Sequence, residues 1–420
     1  MISLPLSNYD AEAMIESLRK GIPPERFASE YSSGNDEFLE NVRTRHLESH
    51  NYSGKIRFVS GSWGSGKTHF LRLLREQAFE VGYLVSFVEL SNDETPFDKF
   101  EKVFHGIVRK ITSPAMYQNN DLFHASPFGE VLKEALFGGL ASEDEPVPNG
   151  LWQERRDELM QAEGIDVDFK RVISQYWETF TEQSDNRSAL EERRAALLQW
   201  FSGEGRIGSF RKEFGVSKMV NRQNSRLMLQ SLSSFSRLIG FKGLLILFDE
   251  AERTYSTMRA SDLKQAQNNL LHLINTTEDT AGLFLVYAAT PDFFTDDKFG
   301  IRVYGALAQR IGQPENRPPR ALDRVWNLDA VEHSNHDYAQ VARKIRDIYL
   351  HAYPEANVLT EDELSEYVLR LGEHHPRHSM MGKWRMVVTA TVNVMDAYLE
   401  GYEPPAPEML HDEIVARSRP

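Results

Sequence analysis

The sequence contains no cysteine. This excludes a disulfide framework, a thiolate nucleophile and any zinc site built from cysteine ligands. The chain also lacks an excess of basic residues, because 48 Lys and Arg stand against 62 Asp and Glu and give a net charge of −14. Proteins that bind nucleic acid on their own are usually basic, so we expect any DNA contact to use a local basic patch or a partner protein.

Long apolar runs are missing as well. No run approaches the roughly 18 apolar residues that a membrane-spanning helix needs. Residues 1–6 lack the basic segment and apolar core of a secretory signal. We therefore expect no membrane association and a cytoplasmic location. The composition, with 41% apolar and 26% charged residues among 420, is that of a globular protein long enough for more than one domain.

The most informative segment is residues 61–68, Gly-Ser-Trp-Gly-Ser-Gly-Lys-Thr, which match the phosphate-binding pattern G-x-x-x-x-G-K-[ST] at every fixed position. Glycines let the backbone turn its N–H groups inward around a phosphate. In this pattern Lys67 reaches the β- and γ-phosphates of ATP and the Thr68 hydroxyl binds Mg²⁺. The nucleotide-binding residues predicted here are Gly61, Ser62, Trp63, Gly64, Ser65, Gly66, Lys67, Thr68 and His69.

The flanking sequence supports a phosphate-binding loop. Residues 55–60 have a strand pattern, and the leucines after His69 have helical spacing, so the loop opens a helix whose N-terminus faces the anion. Residues 83–90 read as a second buried strand. This strand–helix–strand order predicts an α/β fold, an αβα sandwich around a parallel sheet with a right-handed crossover.

A second motif ends the apolar run Leu244–Phe248. Asp249 and Glu250 follow it directly, as carboxylates do at the end of a buried Walker B strand. We predict that Asp249 holds Mg²⁺ through water and that Glu250 orients and polarises the attacking water. A strand that ends in acidic residues is common by itself, but together with the upstream loop it supplies both halves of one mechanism.

Two more catalytic candidates follow. Thr290 ends the predicted strand 283–290 and is the candidate to bind the γ-phosphate or the attacking water; the alternative is that it only begins the turn at Pro291. Arg310, near the end of a predicted helix, has the position of an arginine finger that reaches a neighbouring subunit, so a homo-oligomer is expected. A solvated surface arginine is an equal alternative. Three other arginines compete for this role: Arg317, Arg320 and Arg324.

Four regions are predicted: an N-terminal helical segment (1–50), an ATPase domain (51–330) with a helical insertion (113–240), a helical lid (331–400) and a proline-rich tail (401–420). The first is interpreted as a helical cap on the sheet edge, or alternatively its turn at Ile22 and Pro23 packs on adenine. In the lid, Arg377 is predicted to contact the γ-phosphate. Its neighbouring histidines, residues 374–378, are not favoured as a metal site, because no cysteine or nearby acidic pair accompanies them.

The sequence resembles the BREX-type ATP-binding family of bacterial phage-defence loci, which is related to the AAA+ and origin-initiator ATPases. The segments that carry the resemblance are residues 13–23, 61–70, 198–204, 240–252 and 376–377. It implies an AAA+-like fold, ATP and Mg²⁺ as cofactors, and partners among other defence-system proteins, with ATP driving assembly or remodelling of a complex on foreign DNA. The sequence departs most from the family at 113–173 and 374–383.

Three functional hypotheses remain at this point. The first is an ATPase that uses Lys67, Thr68, Asp249 and Glu250. The second is a nucleotide-switched adaptor that binds ATP with little or no turnover. The third is direct DNA binding through a local basic patch, against which the acidic composition argues.

Overall fold

A computed structural model describes residues 6–49, 52–122, 124–138, 149–181, 186–255, 257–376 and 381–417. Within these residues six strands form one sheet with the order β3-β2-β4-β5-β1-β6. Neighbouring strands are parallel except for the short antiparallel pair of β2 and β3. The strands are β1 (Lys55–Ser60), β2 (Leu84–Glu89), β3 (Ile111–Thr112), β4 (Leu244–Asp249), β5 (Leu283–Ala289) and β6 (Val325–Asn327).

Helices cover both faces of this sheet. The helices before and between the strands are α1 (Asn8–Arg19), α2 (Asp36–Val42), α3 (Lys67–Glu80), α4 (Phe100–Arg109), α5 (Pro114–Gln118), α6 (Pro127–Phe137), α7 (Asn149–Gln161), α8 (Val167–Glu178), α9 (Arg187–Ser202), α10 (Ile207–Phe214), α11 (Ser225–Leu238), α12 (Ala251–Tyr255), α13 (Ala260–Glu278), α14 (Pro291–Thr295) and α15 (Gly305–Ile311). Those that follow are α16 (Asn335–Ala352), α17 (Glu361–His374), α18 (Lys383–Leu399) and α19 (Pro407–Arg417). Among the described residues, no helix is both long and apolar enough to cross a membrane.

The central strands are buried on both faces, which is why they read as continuous apolar runs. In β4, Ile246 and Phe248 face a core shared with α4, α11 and α13, whereas Leu245 and Leu247 face a second core shared with α2 and α3. Successive side chains of a strand point to opposite faces, so one strand serves both cores. The predicted α/β fold with a mostly parallel sheet is confirmed; the antiparallel edge strand β3 was not predicted, because two residues carry no recognisable pattern.

The long separation in sequence between the loop at 61–68 and Asp249 has a structural explanation. Helices α5–α11 lie between β3 and β4; of these, α6, α9 and α11 pack on α4, and aromatic side chains fill the core between the helices. Phe169 contacts Phe201 and Phe235 edge to face, with ring centroids 5.1 and 6.0 Å apart. The buried indole N–H of Trp177 donates to the Leu132 carbonyl at 2.8 Å, which satisfies the one polar group of that side chain.

The first helix does not cap the sheet edge. Helix α1 packs against α16 and α18, where Met14 and Ile15 share a core with Ile345. Arg19 donates twice to the Asp396 carboxylate, at 2.7 and 2.8 Å. The sheet-edge interpretation is therefore wrong for α1, because its apolar stripe is complementary to the C-terminal helices; α2 is the N-terminal helix that packs on the sheet.

The C-terminal residues also differ from expectation. Where a proline-rich tail was expected, residues 407–417 form helix α19. Its Leu410 and Ile414 are buried in a core shared with α17 and α18. The prolines at 404, 405 and 407 occupy the connection and the first helical position, where a missing N–H costs nothing.

Candidate functional site

A cavity of about 460 Å³ lies at the carboxyl edge of the sheet. Strand β5 lies between β1 and β4, and the register brings the ends of these parallel strands to one edge. Residues 63–70 border the cavity, as do residues after β4, the N-terminal segment and the C-terminal helices. This is the place where open α/β sheets bind ligands.

The loop at residues 61–66 has the backbone of a phosphate-binding loop. Gly64 and Gly66 have φ values of 74° and 94°, in the left-handed region that favours glycine. Helix α3 begins at Lys67, directly after the loop, so its free N–H groups face the cavity. The Lys67 ammonium is buried and donates to the carbonyls of Gly61 at 2.8 Å and Ser62 at 3.3 Å.

Thr68 and Asp249 meet at the cavity. The Thr68 Oγ1 hydroxyl donates to Asp249 Oδ2 at 2.7 Å, and the other carboxylate oxygen accepts from the Glu250 N–H at 2.9 Å. Hydroxyl and carboxylate oxygens at one point of a cavity are the hard donors that Mg²⁺ takes. These residues fit the ion that the sequence predicted for them.

Glu250 has an unusual backbone. Its φ of 58° lies in the left-handed region, which within the described residues only Phe27 and Asn120 share among non-glycine residues. Such a conformation is uncommon for side chains with a Cβ. It forms the abrupt turn between β4 and α12 and brings Glu250 to the cavity wall. Strained backbone beside a cavity is typical of active sites.

Glu252 is a cavity residue that the sequence analysis missed. Its side chain is 12% exposed, and Oε1 lies 3.8 Å from the Lys67 ammonium. Burial raises the pKa of the Glu252 carboxyl above its usual range, and the positive charge of Lys67 opposes that rise. The Thr290 backbone N–H also stabilises the carboxylate. The signal was present in the sequence, since Glu252 lies two positions after Glu250.

Thr290 and the candidate finger arginines are not among the described residues that border the cavity. Thr290 is buried at the end of β5. Arg310 lies near the opposite edge of the sheet, because it contacts Glu278 at 3.4 Å and Glu278 ends the helix that precedes β5. Arg324 contacts the same carboxylate at 2.8 Å, and Arg317 pairs with Asp323. Arg377 lies outside the described residues.

The C-terminal helices touch the phosphate-binding loop directly. Gly382 precedes α18, and a Cβ on it would lie 2.2 Å from the Gly64 carbonyl oxygen; a Cβ on Gly64 would lie 2.6 Å from the Gly382 nitrogen. Only two glycines can approach so closely. In the first turn of α18, Trp384 and Arg385 border the cavity. None of these three lid residues was predicted, because nothing local in residues 382–385 marks a nucleotide site.

Asp329 fastens the loop from another side. It lies in a short 3₁₀ turn after β6, on the way to the lid helices. Its carboxylate accepts from the Ser62 N–H at 2.9 and 3.0 Å and from the Ser62 hydroxyl at 2.7 Å. The loop at 61–66 therefore contacts the C-terminal part of the chain at two points, Asp329 before α16 and Gly382 before α18.

The N-terminal turn closes the other end of the cavity. Ile22 and Pro23 border it, and buried Arg72 of α3 donates to the Pro23 carbonyl. His69 also borders the cavity, but its Nδ1 lies 2.9 Å from the Tyr31 hydroxyl. Burial lowers the pKa of His69 to about 3, so its imidazole is neutral at physiological pH. His69 therefore offers no charge to a phosphate.

A comparison with protein families gives a match for this chain. A comparison with curated proteins found no match. The model of a protein family, the BREX system ATP-binding protein BrxC/D, matches residues 6–411. The matched range contains every described residue named above as bordering the cavity. The chain therefore belongs to the BREX system ATP-binding protein BrxC/D family.

Proposed function

We propose that the chain is a Mg²⁺-dependent, AAA+-like ATPase of a bacterial anti-phage defence system. One observation carries this proposal: the loop at 61–68, the Thr68–Asp249 pair, Glu250 and the lid helix α18 all meet at one cavity. An ATP-binding site needs the first two, whereas hydrolysis also needs a carboxylate placed to polarise water.

The chain's own residues divide the work as follows. The N–H groups of the loop and of the first turn of α3 bind the phosphates, and Lys67 exchanges its carbonyl partners for phosphate oxygens. Bound Mg²⁺, held by Thr68 and Asp249, would offset the charge on the β- and γ-phosphates. Glu250 orients the attacking water, and the buried Glu252 positions Lys67. The apolar wall at Ile22 and Pro23 suits the adenine ring.

Arg385 is the described lid residue best placed to contact the phosphates, alongside the predicted Arg377. It borders the cavity from the first turn of α18, next to the Gly64–Gly382 contact. We expect Arg385→Ala to weaken ATP binding and turnover about tenfold or more, because a hydrogen bond to a charged group contributes roughly 1.5–3 kcal/mol. Arg370→Ala is the matched control, since this lid arginine pairs only at the surface with Glu408. Unchanged turnover in Arg385→Ala would leave the role to Arg377.

The wider role is inferred from two facts. The chain belongs to a family of BREX system proteins, and Arg310 does not border the cavity of its own chain. BREX proteins act as parts of a system, so other defence proteins are expected partners. An arginine finger from a neighbouring copy, Arg310 by its position in the sequence, would complete hydrolysis in a homo-oligomer. Acting on foreign DNA would proceed through partners or a local patch, since the chain is acidic.

A nucleotide-switched adaptor with little turnover is the alternative function. The contacts of Arg310 favour it, because this side chain is held by Glu278 at 3.4 Å and Asn275 at 3.0 Å within its own chain and would have to leave both to reach a neighbouring copy's nucleotide. In that case ATP would hold the lid against the loop and thereby fix a partner surface, without regular hydrolysis.

Steady-state ATP turnover with Mg²⁺, measured over a range of protein concentrations with and without DNA, separates the two functions. For an ATPase with a shared site, the specific activity rises with protein concentration. ATP binding that depends on Lys67 without turnover at any concentration would identify the adaptor.

A further inference from the structure

We propose that His374, His411 and Asp412 bind a divalent transition-metal ion such as Zn²⁺ on the lid, a site separate from the nucleotide cavity. One ligand atom from each of these residues lies within 4.8 Å of the other two. His374 ends α17, whereas His411 and Asp412 belong to α19. This proposal is independent of whether the chain hydrolyses ATP.

Two of the three distances between the ligand atoms suit ligands of one ion, and the third is within 4.8 Å. His411 Nδ1 lies 3.0 Å from Asp412 Oδ1, and His374 Nε2 lies 3.6 Å from the same oxygen. Two ligands of one tetrahedral zinc ion, each about 2.1 Å from it, are roughly 3.4 Å apart. His374 and Asp412 are 44% and 74% exposed, so an ion can reach the site from solvent.

The hydrogen bonds behind the site determine which nitrogen of His411 is available. His375 Nε2 lies 2.8 Å from the Met381 carbonyl, which only accepts, so this nitrogen carries the proton. The other ring nitrogen of a neutral His375 then accepts from His411 Nε2, which lies 3.1 Å away. Neutral His411 consequently presents a lone pair on Nδ1, and that lone pair faces a carboxylate oxygen.

Two acceptors at 3.0 Å repel each other unless a cation lies between them. That cation is either an additional proton on the His375–His411 pair or a metal ion, and His374 as a third donor favours the metal. The chain from Met381 through His375 to His411 is the outer hydrogen-bond support that metal-binding histidines use to fix their tautomer. Imidazole and carboxylate donors suit zinc and similar ions, and three protein ligands leave a fourth position for water.

The sequence alone argued against metal at these histidines because no cysteine and no nearby acidic pair accompanies them. The fold supplies other ligands, since α19 packs on α17 and brings His411 and Asp412 to His374. A bound ion would connect the end of α17 to α19. It would also stiffen His375, whose partner Met381 directly precedes the glycine that touches the phosphate-binding loop.

The test titrates the full-length, tag-free and metal-stripped chain with Zn²⁺ by calorimetry, and with Co²⁺ by visible absorption, in the absence of nucleotide. We expect one tight equivalent. His375→Ala removes an outer hydrogen-bond partner and should weaken metal affinity about 10- to 100-fold. Asp412→Asn and His374→Ala remove ligands and should weaken it more. Both of these side chains are exposed, so their replacement leaves the core intact. His272→Ala, an exposed histidine of α13, is the control and should bind as the wild type does.

Two results would overturn the proposal. If the wild-type chain takes up no stoichiometric Zn²⁺ or Co²⁺, His411 is held to Asp412 by a proton. If Asp412→Asn and His374→Ala bind as tightly as His272→Ala, the ion is bound elsewhere in the chain.

Discussion

Glu250→Gln is expected to lower ATP turnover about 10²- to 10⁴-fold and to leave ATP binding close to that of the wild type, because it removes a carboxylate that acts on water and no group that binds phosphate. The side chain keeps its size, and the left-handed backbone at Glu250 is unaffected by the change of the terminal group. Single-turnover hydrolysis and nucleotide affinity, measured separately, check the two halves of this expectation.

Two further glutamates sharpen that experiment. Glu94→Gln changes an exposed carboxylate after β2 and should behave as the wild type. Glu252→Gln changes the buried carboxylate next to Lys67 and should alter nucleotide affinity more than the chemical step. If Glu252→Gln abolishes hydrolysis while Glu250→Gln retains it, the catalytic carboxylate is Glu252.

Lys67→Ala should weaken ATP binding by about 10- to 150-fold, since the ammonium hydrogen-bonds to phosphate and the loss of one charge-assisted hydrogen bond costs roughly 1.5–3 kcal/mol. The loss should grow with the number of phosphates, so that the variant discriminates poorly between ATP and ADP. Equilibrium binding of a fluorescent ATP analogue and competition with unlabelled nucleotides measure this difference.

Lys110→Ala removes one positive charge from an exposed position after α4 and controls for the change in net charge. Since Lys67 is buried near Glu252, its removal also changes the stability of the nucleotide-free protein. Thermal unfolding without nucleotide measures this change in stability. ATP bound with wild-type affinity by Lys67→Ala would show that the loop at 61–68 does not hold the nucleotide.

The elements that the sequence predicted well are those with a dense local pattern. The strands β1, β2, β4 and β5 and the loop between β1 and α3 were located to within about one or two residues, the margin to which element ends are defined anyway. The meeting of Thr68 and Asp249 was predicted too, because each motif specifies its end of a buried strand or helix.

The parts that could not be predicted are contacts between residues far apart in the chain. Asp329 reaches Ser62 across more than 260 positions, and its own neighbourhood looks like any turn. Gly382 matters because of the backbone it touches, which no local pattern encodes. Helix α1 packs on α16 and α18 and not on the sheet, because the shape of its apolar face matches those helices, and a sequence pattern does not encode this match. The arginine-finger assignment stays a prediction, since it concerns a second copy of the chain.

The contact of Gly64 with Gly382 consists of backbone on both sides. A glycine has no side chain to remove, so a substitution by alanine at Gly64 or Gly382 can only add a Cβ that collides with the other backbone. An alanine scan would therefore measure a steric clash at these positions and not the loss of an interaction. Any rotation of α18 away from the sheet must first separate these two peptide groups. Nucleotide release by such a rotation would therefore require a main-chain contact to open in addition to the side-chain contacts of α18, Arg385 among them.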